Sequence, residues 1–252
     1  MKLFKYFICF LFFLSGFSLA ANSLENLEYI TEQYAPYNYQ DEQGIPQGFS
    51  IEVLNKVWEV MDVAPQKIHV FPWARGYSLG LQQDNTLLFS TTRSESREDL
   101  FKWACPIIDI RIVLISRRKS NITIESIEDA KQYKIVAIKS DIGQQLLQDK
   151  DFSETKIHLS NFLNSAILML KHGHVDLISS EETTVFRQLI KMGENPKNFK
   201  VVWLLEKRPL CFAFHHQTEE DLVFDFQKAL NQVQSLPGFI QALKQKHQLT
   251  TQ

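Results

Sequence analysis

From residue 27 onward, short β-branched runs alternate with stretches of helical period. That alternation restricts the chain to an α/β fold with largely parallel strands and crossover helices. Residues 27–31 read as a strand, followed by a Pro- and Tyr-rich loop and a turn at 40–44. Residues 50–60 place Ile51, Val53, Leu54, Val57 and Val60 near helical spacing, with Ser50 expected as the N-cap. A strand at 67–71, a helix at 74–83 and a strand at 86–90 complete the first half. The same grammar then repeats. Strands are expected at 107–116, 134–139, 155–159, 175–179, 200–205 and 210–214, and helices at 126–131, 143–148, 161–172, 183–191, 219–233 and 241–247. Ser126 and Asp129 have capping-box spacing. No Gly/Ser-rich linker separates the halves, so their connection is expected to be short and structured.

Residues 1–20 have the three parts of an export signal: Lys2 and Lys5, an apolar core at 7–14, and Ser18-Leu19-Ala20 with small residues at −3 and −1. The apolar run is shorter than the roughly 20 residues of a membrane span, which disfavours the alternative of a retained anchor. Cys9 lacks the small residues of a lipobox before it. The mature chain is therefore expected to begin near Ala21 and to work outside the cytoplasm, soluble and free-standing. The full sequence has a net charge of −2, with no basic run, and becomes more acidic once the two leader lysines leave. That balance argues against nucleic acid as a partner. Cys105 and Cys211 are the cysteines that survive processing. An oxidising compartment permits a bridge between them, and two buried thiols are the alternative. No CxxC and no His/Cys cluster at ligand spacing occurs, so neither a metal nor another cofactor is expected.

The chemistry concentrates in residues 89–97, Phe-Ser-Thr-Thr-Arg-Ser-Glu-Ser-Arg. Hydroxyls on Thr91 and Thr92 beside Arg93 and Arg97 at a strand end suit carboxylate capture, because a guanidinium pairs bidentately with two oxygens. The plainer reading pairs Arg97 with Glu95, Glu98 or Asp99 on a solvated helix start. Tyr34 and Trp73 are either core aromatics or cleft walls, and the polar setting of Tyr34 favours the cleft. Glu181 begins a helix, where the macrodipole already stabilises an acid. Lys139 at a strand end could be a surface residue.

These segments, taken in order, resemble the bacterial family 3 extracellular solute-binding proteins. The likeness rests on Tyr34-Ala-Pro-Tyr, Gly48-Phe49-Ser-Ile-Glu-Val, Ser94-x-x-Arg97, Val136-Ala-Ile-Lys-Ser-x-x-Gly143, Val175-Asp-Leu-Ile-Ser-Ser-Glu181, the strand at 210–214 and a paired-helix tail with Gly238. It implies a type II periplasmic-binding-protein-like fold, with two α/β lobes joined by two crossing strands around a ligand cleft. Lobe 1 would comprise 21–107 and 213–252, and lobe 2 residues 108–212, with both cysteines near the crossings. It also implies a monomeric periplasmic protein that captures a small carboxylate-bearing solute, such as an amino acid, for a membrane ABC permease. Tyr34 and Trp73 would sandwich the ligand, Thr92 would donate to it and Arg97 would clamp its carboxylate. Lys139 and Gly143 would meet it from across the cleft, and Glu181 would take its amine. Asp141-Ile142 replaces a common Gly-Thr, and Thr31 stands where a carboxylate is frequent. Arg75 and Arg93 are extra cations, which would favour a more anionic ligand. The rival readings are a cyclohexadienyl dehydratase-like enzyme with Glu181 as general acid, and a soluble sensor partner of a membrane receptor.

Overall fold

The computed structural model describes residues 23–249; the export signal expected at 1–20 lies outside them. Among the described residues, ten strands and eight α-helices follow one another. The first half holds β1 (Glu28–Thr31), β2 (Tyr39–Gln40), β3 (Pro46–Gln47), α1 (Phe49–Val60), β4 (Ile68–Val70), α2 (Trp73–Gln82) and β5 (Thr86–Thr92). A long strand, β6 (Phe101–Arg117), leads to α3 (Ile127–Ala130), β7 (Ile135–Ile138), α4 (Ile142–Asp149), β8 (Ile157–Ser160), α5 (Leu163–His172), β9 (Leu177–Glu181) and α6 (Glu182–Lys191). A second long strand, β10 (Phe199–His215), returns the chain to α7 (Glu220–Ser235) and α8 (Phe239–Lys246). Ser126 and Asp129 form the expected capping box on α3.

Eight strands make one mixed sheet in the order β4-β1-β5-β10-β6-β9-β7-β8. β1 is parallel to β4 and β5, and β7 is parallel to β8 and β9, so each end of the sheet is the centre of its own α/β lobe. Between them β6 and β10 run antiparallel over nearly their full lengths, from Phe199 opposite Arg117 to His215 opposite Phe101. β10 meets β5 at Leu210–Phe214, and β6 meets β9 at Ile112–Ser116. Two lobes are thus joined by one two-stranded ribbon.

The ribbon departs from the sequence expectation in length. β6 begins six residues earlier than the β-branched run implies. β10 continues through Pro209, where the sequence points to a break between two strands; Asp109 lies opposite this proline. Proline removes one donor, which is tolerable where register shifts already interrupt the ladder, as they do between Leu210 and Phe212. Side chains of α7 supply partners there. Gln227 accepts from the Cys105 amide at 2.6 Å and donates to its carbonyl at 2.8 Å, while Gln234 donates to the Pro106 and Ile107 carbonyls. Backbone groups freed by the irregularity therefore stay paired.

Two local expectations are corrected. β2 and β3 form a small hairpin where only a turn was expected. The N-cap of α1 is Gly48, not Ser50, and Gly48 sits at φ 126°, outside the comfortable range of L side chains. A Cβ there would also run into the Tyr37 carbonyl. Ser50 lies inside the helix and accepts from the Ser90 hydroxyl at 2.8 Å.

Cys105 and Cys211 form a disulfide, with Cα atoms 4.7 Å apart. It ties the two ribbon strands together beside the register shift and closes a loop across 106 residues of sequence. A bridge of that span restricts the unfolded chain, by a few kcal/mol in entropic accounts. Replacing both cysteines with serine should lower unfolding free energy by about 2–4 kcal/mol, measured by denaturant titration against the oxidised wild type. An unchanged midpoint would show that the bridge contributes nothing.

Candidate functional site

Parallel strands in each lobe aim their C-terminal ends at the space between the lobes, the usual location of a ligand crevice in open α/β sheets. The residues facing that space, expected and unexpected alike, follow from this. Glu32 and Tyr34 come just after β1, Phe71–Trp73 after β4, and Thr92 ends β5. From the other lobe, Lys139 and Asp141 follow β7, Asn161 and Phe162 follow β8, and Glu181 ends β9.

Arg97 is almost fully buried, at 2% relative exposure. Its guanidinium faces the rings of Trp73 and Tyr77, 5.3 and 5.1 Å from their centroids. It donates to the Thr92 carbonyl at 3.3 Å and, across the cleft, to the Ser140 carbonyl at 3.2 Å, while Nε has no partner. Burial disfavours its charge, and Tyr77, Asp141 and Glu32 favour it. The solvated pairing with Glu95, Glu98 or Asp99 does not occur. Trp73 Nε1 donates to the same Ser140 carbonyl at 2.8 Å. Ser94 donates to Gln145 of α4 at 3.3 Å. One carbonyl of the second lobe thus caps both an indole and a guanidinium of the first.

A second set of contacts crosses at the other side. Glu181 Oε1 accepts from the Thr183 amide at 2.9 Å and the Tyr37 hydroxyl at 3.2 Å, and Oε2 accepts from the Thr184 amide at 2.7 Å. Its carboxylate caps α6, and burial raises its pKa against the opposing effect of those donors. Thr184 donates its hydroxyl to the Ala35 carbonyl at 3.3 Å. Further along α6, Arg187 donates to the His247 carbonyl after α8.

Between these contacts lies a cavity of about 270 Å³, walled by Tyr34, Phe71, Trp73 and Phe162 and edged by Glu32 and Asp141. The structure brings Tyr34 and Trp73 to it, as the sequence reading anticipates. Arg97 sits behind Trp73 rather than on the lining. Thr91 and Thr92 are buried on β5, and the Thr91 hydroxyl donates back to the Leu88 carbonyl. Arg93 points to the surface and pairs with Glu98, with Nε 2.7 Å from Oε2. Arg75 is exposed and lies over the Phe71 ring at 4.4 Å. Lys139, also exposed, shares an adjoining cavity with Arg75, Trp73 and Phe162. Gly143 lies where α4 presses on β9; an added Cβ would fall 2.5 Å from the Ser179 carbonyl oxygen. Its glycine is required by that close approach.

Glu32, Tyr37, Tyr77, Ser140 and Phe162 were not singled out by sequence reasoning. The missing carboxylate at Thr31 was a signal for Glu32, since the next position carries one. Burial raises the Glu32 pKa well above its ordinary value, Asp141 adds to the rise, and Arg97 opposes it. Asp141 is raised too, chiefly by burial. Among the described residues, no group of three His, Cys, Asp or Glu side chains could hold a metal, and no helix is long and apolar enough to cross a membrane.

Comparison with known proteins matches residues 28–249 to the bacterial extracellular solute-binding proteins, family 3. No curated protein matches the sequence significantly. Solved structures do match. A histidine kinase sensor domain with similarity to periplasmic binding proteins superposes with a TM-score of 0.77 at 18% identity, covering 88% of this chain and 96% of its own. The substrate-binding protein of an ABC uptake transporter from Streptococcus pneumoniae, with bound histidine, gives 0.75 at 16%, covering 88% and 92%. An ancestral amino acid-binding protein, a precursor of cyclohexadienyl dehydratase, gives 0.72 at 16%, covering 88% and 95%. At such identities the likeness establishes the fold.

A raised carboxylate pKa means that the folded chain holds the proton more tightly than the unfolded one. The stability linked to that proton is present below the ordinary value of 4.5 and is lost as pH rises through the folded value. Glu32→Gln should therefore melt at a higher temperature than the wild type at neutral pH, with the gap closing as pH falls toward 4.5. Parallel melts across that range check it, and a destabilised variant at neutral pH would refute it.

Proposed function

The chain belongs to the bacterial extracellular solute-binding proteins, family 3, and from this premise we propose that it captures a small carboxylate-bearing solute in the periplasm by closing its two lobes. The lobes comprise residues 21–107 with 213–252, and residues 108–212. The ligand is an amino acid or a related compound. The closed shape is what a membrane ABC permease receives, and the protein acts as a monomer.

The observation that supports this reading most is the double capping of the Ser140 carbonyl by Arg97 and Trp73. A buried guanidinium with carbonyl partners alone has its charge unanswered by any anion within hydrogen-bond reach. A carboxylate in place of that carbonyl would supply two charge-assisted bonds in a fork geometry, together with the negative charge. Arg97 is the carboxylate grip, Trp73 and Tyr34 are the walls, and the Thr92 segment positions the guanidinium. Contacts that need both lobes exist only when the cleft is shut, so a ligand bridging them shifts the population toward closure.

Two of the structural relatives, by their descriptions, bind amino acids. The dehydratase reading requires a free carboxyl proton on Glu181, but both of its oxygens are engaged by helix-capping amides and Tyr37. That arrangement favours binding over catalysis. The receptor-partner reading draws on the sensor-domain relative. Pull-down from membranes separates permease from receptor.

Isothermal titration against a broad panel of amino acids and small carboxylates is the direct test. Binding is expected for at least one compound. Arg97→Leu should weaken it about 10- to 100-fold, as expected for losing charge-assisted hydrogen bonds. Failure of every compound to bind the folded protein would sink the proposal, as would an Arg97→Leu variant with unaltered affinity.

A further inference from the structure

The cavity lining carries an unbalanced charge. Glu32 and Asp141 edge it, and no lysine or arginine lines it. Glu32 has no hydrogen-bond donor and no cation on its carboxylate among the described residues, although it is partly buried. Asp141 uses one oxygen on the Ile142 amide at 2.7 Å, leaving the other free of a protein donor among the described residues. Glu181, by contrast, is saturated by protein donors on both oxygens. Arg97, the guanidinium behind Trp73, already faces the carbonyls of Thr92 and Ser140.

Four of the remaining wall residues are aromatic, Tyr34, Phe71, Trp73 and Phe162, and the others are aliphatic or neutral polar. Aromatic faces are negative at their centres and attract ammonium or guanidinium groups, most strongly where water is excluded. Two of these walls already take part in the same attraction from behind, with Arg75 over Phe71 and Arg97 over Trp73. Arg75 and Lys139 line only the adjoining cavity, from exposed positions where salt screens them. The extra arginines therefore supply no basis for an anionic preference. Arg93 is committed to Glu98, and Arg75 lies over Phe71 outside the acidic chamber.

We infer that the solute carries a cationic group beyond its α-amine, an ammonium or guanidinium seated between Glu32 and Asp141 within the aromatic walls. The inference rests on the solute-binding reading above and narrows its ligand to basic amino acids. Glu32 is the specificity-determining residue. It supplies a full negative charge that a cationic ligand neutralises and that a neutral ligand leaves buried and unpaired. The raised pKa of both acids without ligand fits a site whose counter-charge arrives with the solute.

Titration of the mature, oxidised protein with lysine, arginine, norleucine, glutamine and glutamate tests this. Lysine or arginine should bind at least about tenfold more tightly than norleucine, which has the lysine skeleton without its ε-ammonium. Glu32→Gln should abolish that preference by weakening lysine and arginine and favouring norleucine, with a cooperative melt retained. Asp141→Asn, which keeps an acceptor for the α4 amide, should reduce it. Tight binding of norleucine, glutamine or glutamate at the expense of the basic amino acids would overturn this inference and leave the solute-binding reading standing. A preference undiminished in Glu32→Gln would overturn it as well. No binding by any of the five would overturn it, and the solute-binding reading would stand if another compound of the broad panel bound.

Discussion

Everything in this molecule turns on the antiparallel ribbon of β6 and β10. Because the same two strands belong to the sheets of both lobes, the lobes cannot slide freely; they can bend and twist about the paired backbones. Irregular register at Leu210–Phe212 and the nearby disulfide fix where the ribbon enters the first lobe. Gln227 and Gln234 of α7 satisfy the backbone there, so the joint is hydrogen-bonded rather than loose. Short, well-paired connections of this kind confine relative motion to a hinge.

The ribbon also sets the chemistry. It holds the C-terminal ends of β1, β4 and β5 opposite those of β7, β8 and β9, and the segments leaving these ends carry Glu32, Arg97, Asp141 and Glu181. Burying Arg97, Glu32 and Asp141 in such a place costs stability unless each finds a partner. Arg97 finds carbonyls, Glu181 finds helix amides, and Glu32 finds no protein donor among the described residues. The unevenness of these solutions gives the site its direction, with a cation held at one end and acids waiting at the other.

Much of the site was legible because strand ends can be read from β-branched runs, and the residues after them are then fixed in space. Tyr34, Trp73 and Arg97 were expected at the cleft from the family resemblance; the first two line the cavity, and Arg97 lies behind Trp73. Arg93 was misread as a cleft residue because it adjoins Thr92, yet neighbours on extended backbone point to opposite sides, and its partner is Glu98. Gly143 and Glu181 carry local duties, close helix packing and helix capping, that a motif alone cannot separate from ligand contact. Glu32 went unremarked because the expected acid lay one position earlier, and a one-residue shift at a strand end moves a side chain from one face to the other.

The amino-acid sequence by itself determined the α/β alternation, the order of the elements, the capping box at Ser126 and the family to which the chain belongs. All of these are written in local periodicity and short motifs. Tertiary structure alone decided that Cys105 and Cys211 are joined, that β10 runs unbroken past Pro209, and that Ser140 offers its carbonyl to Arg97. Each of these depends on atoms brought together from distant parts of the chain. Nothing in local sequence records a distance between lobes.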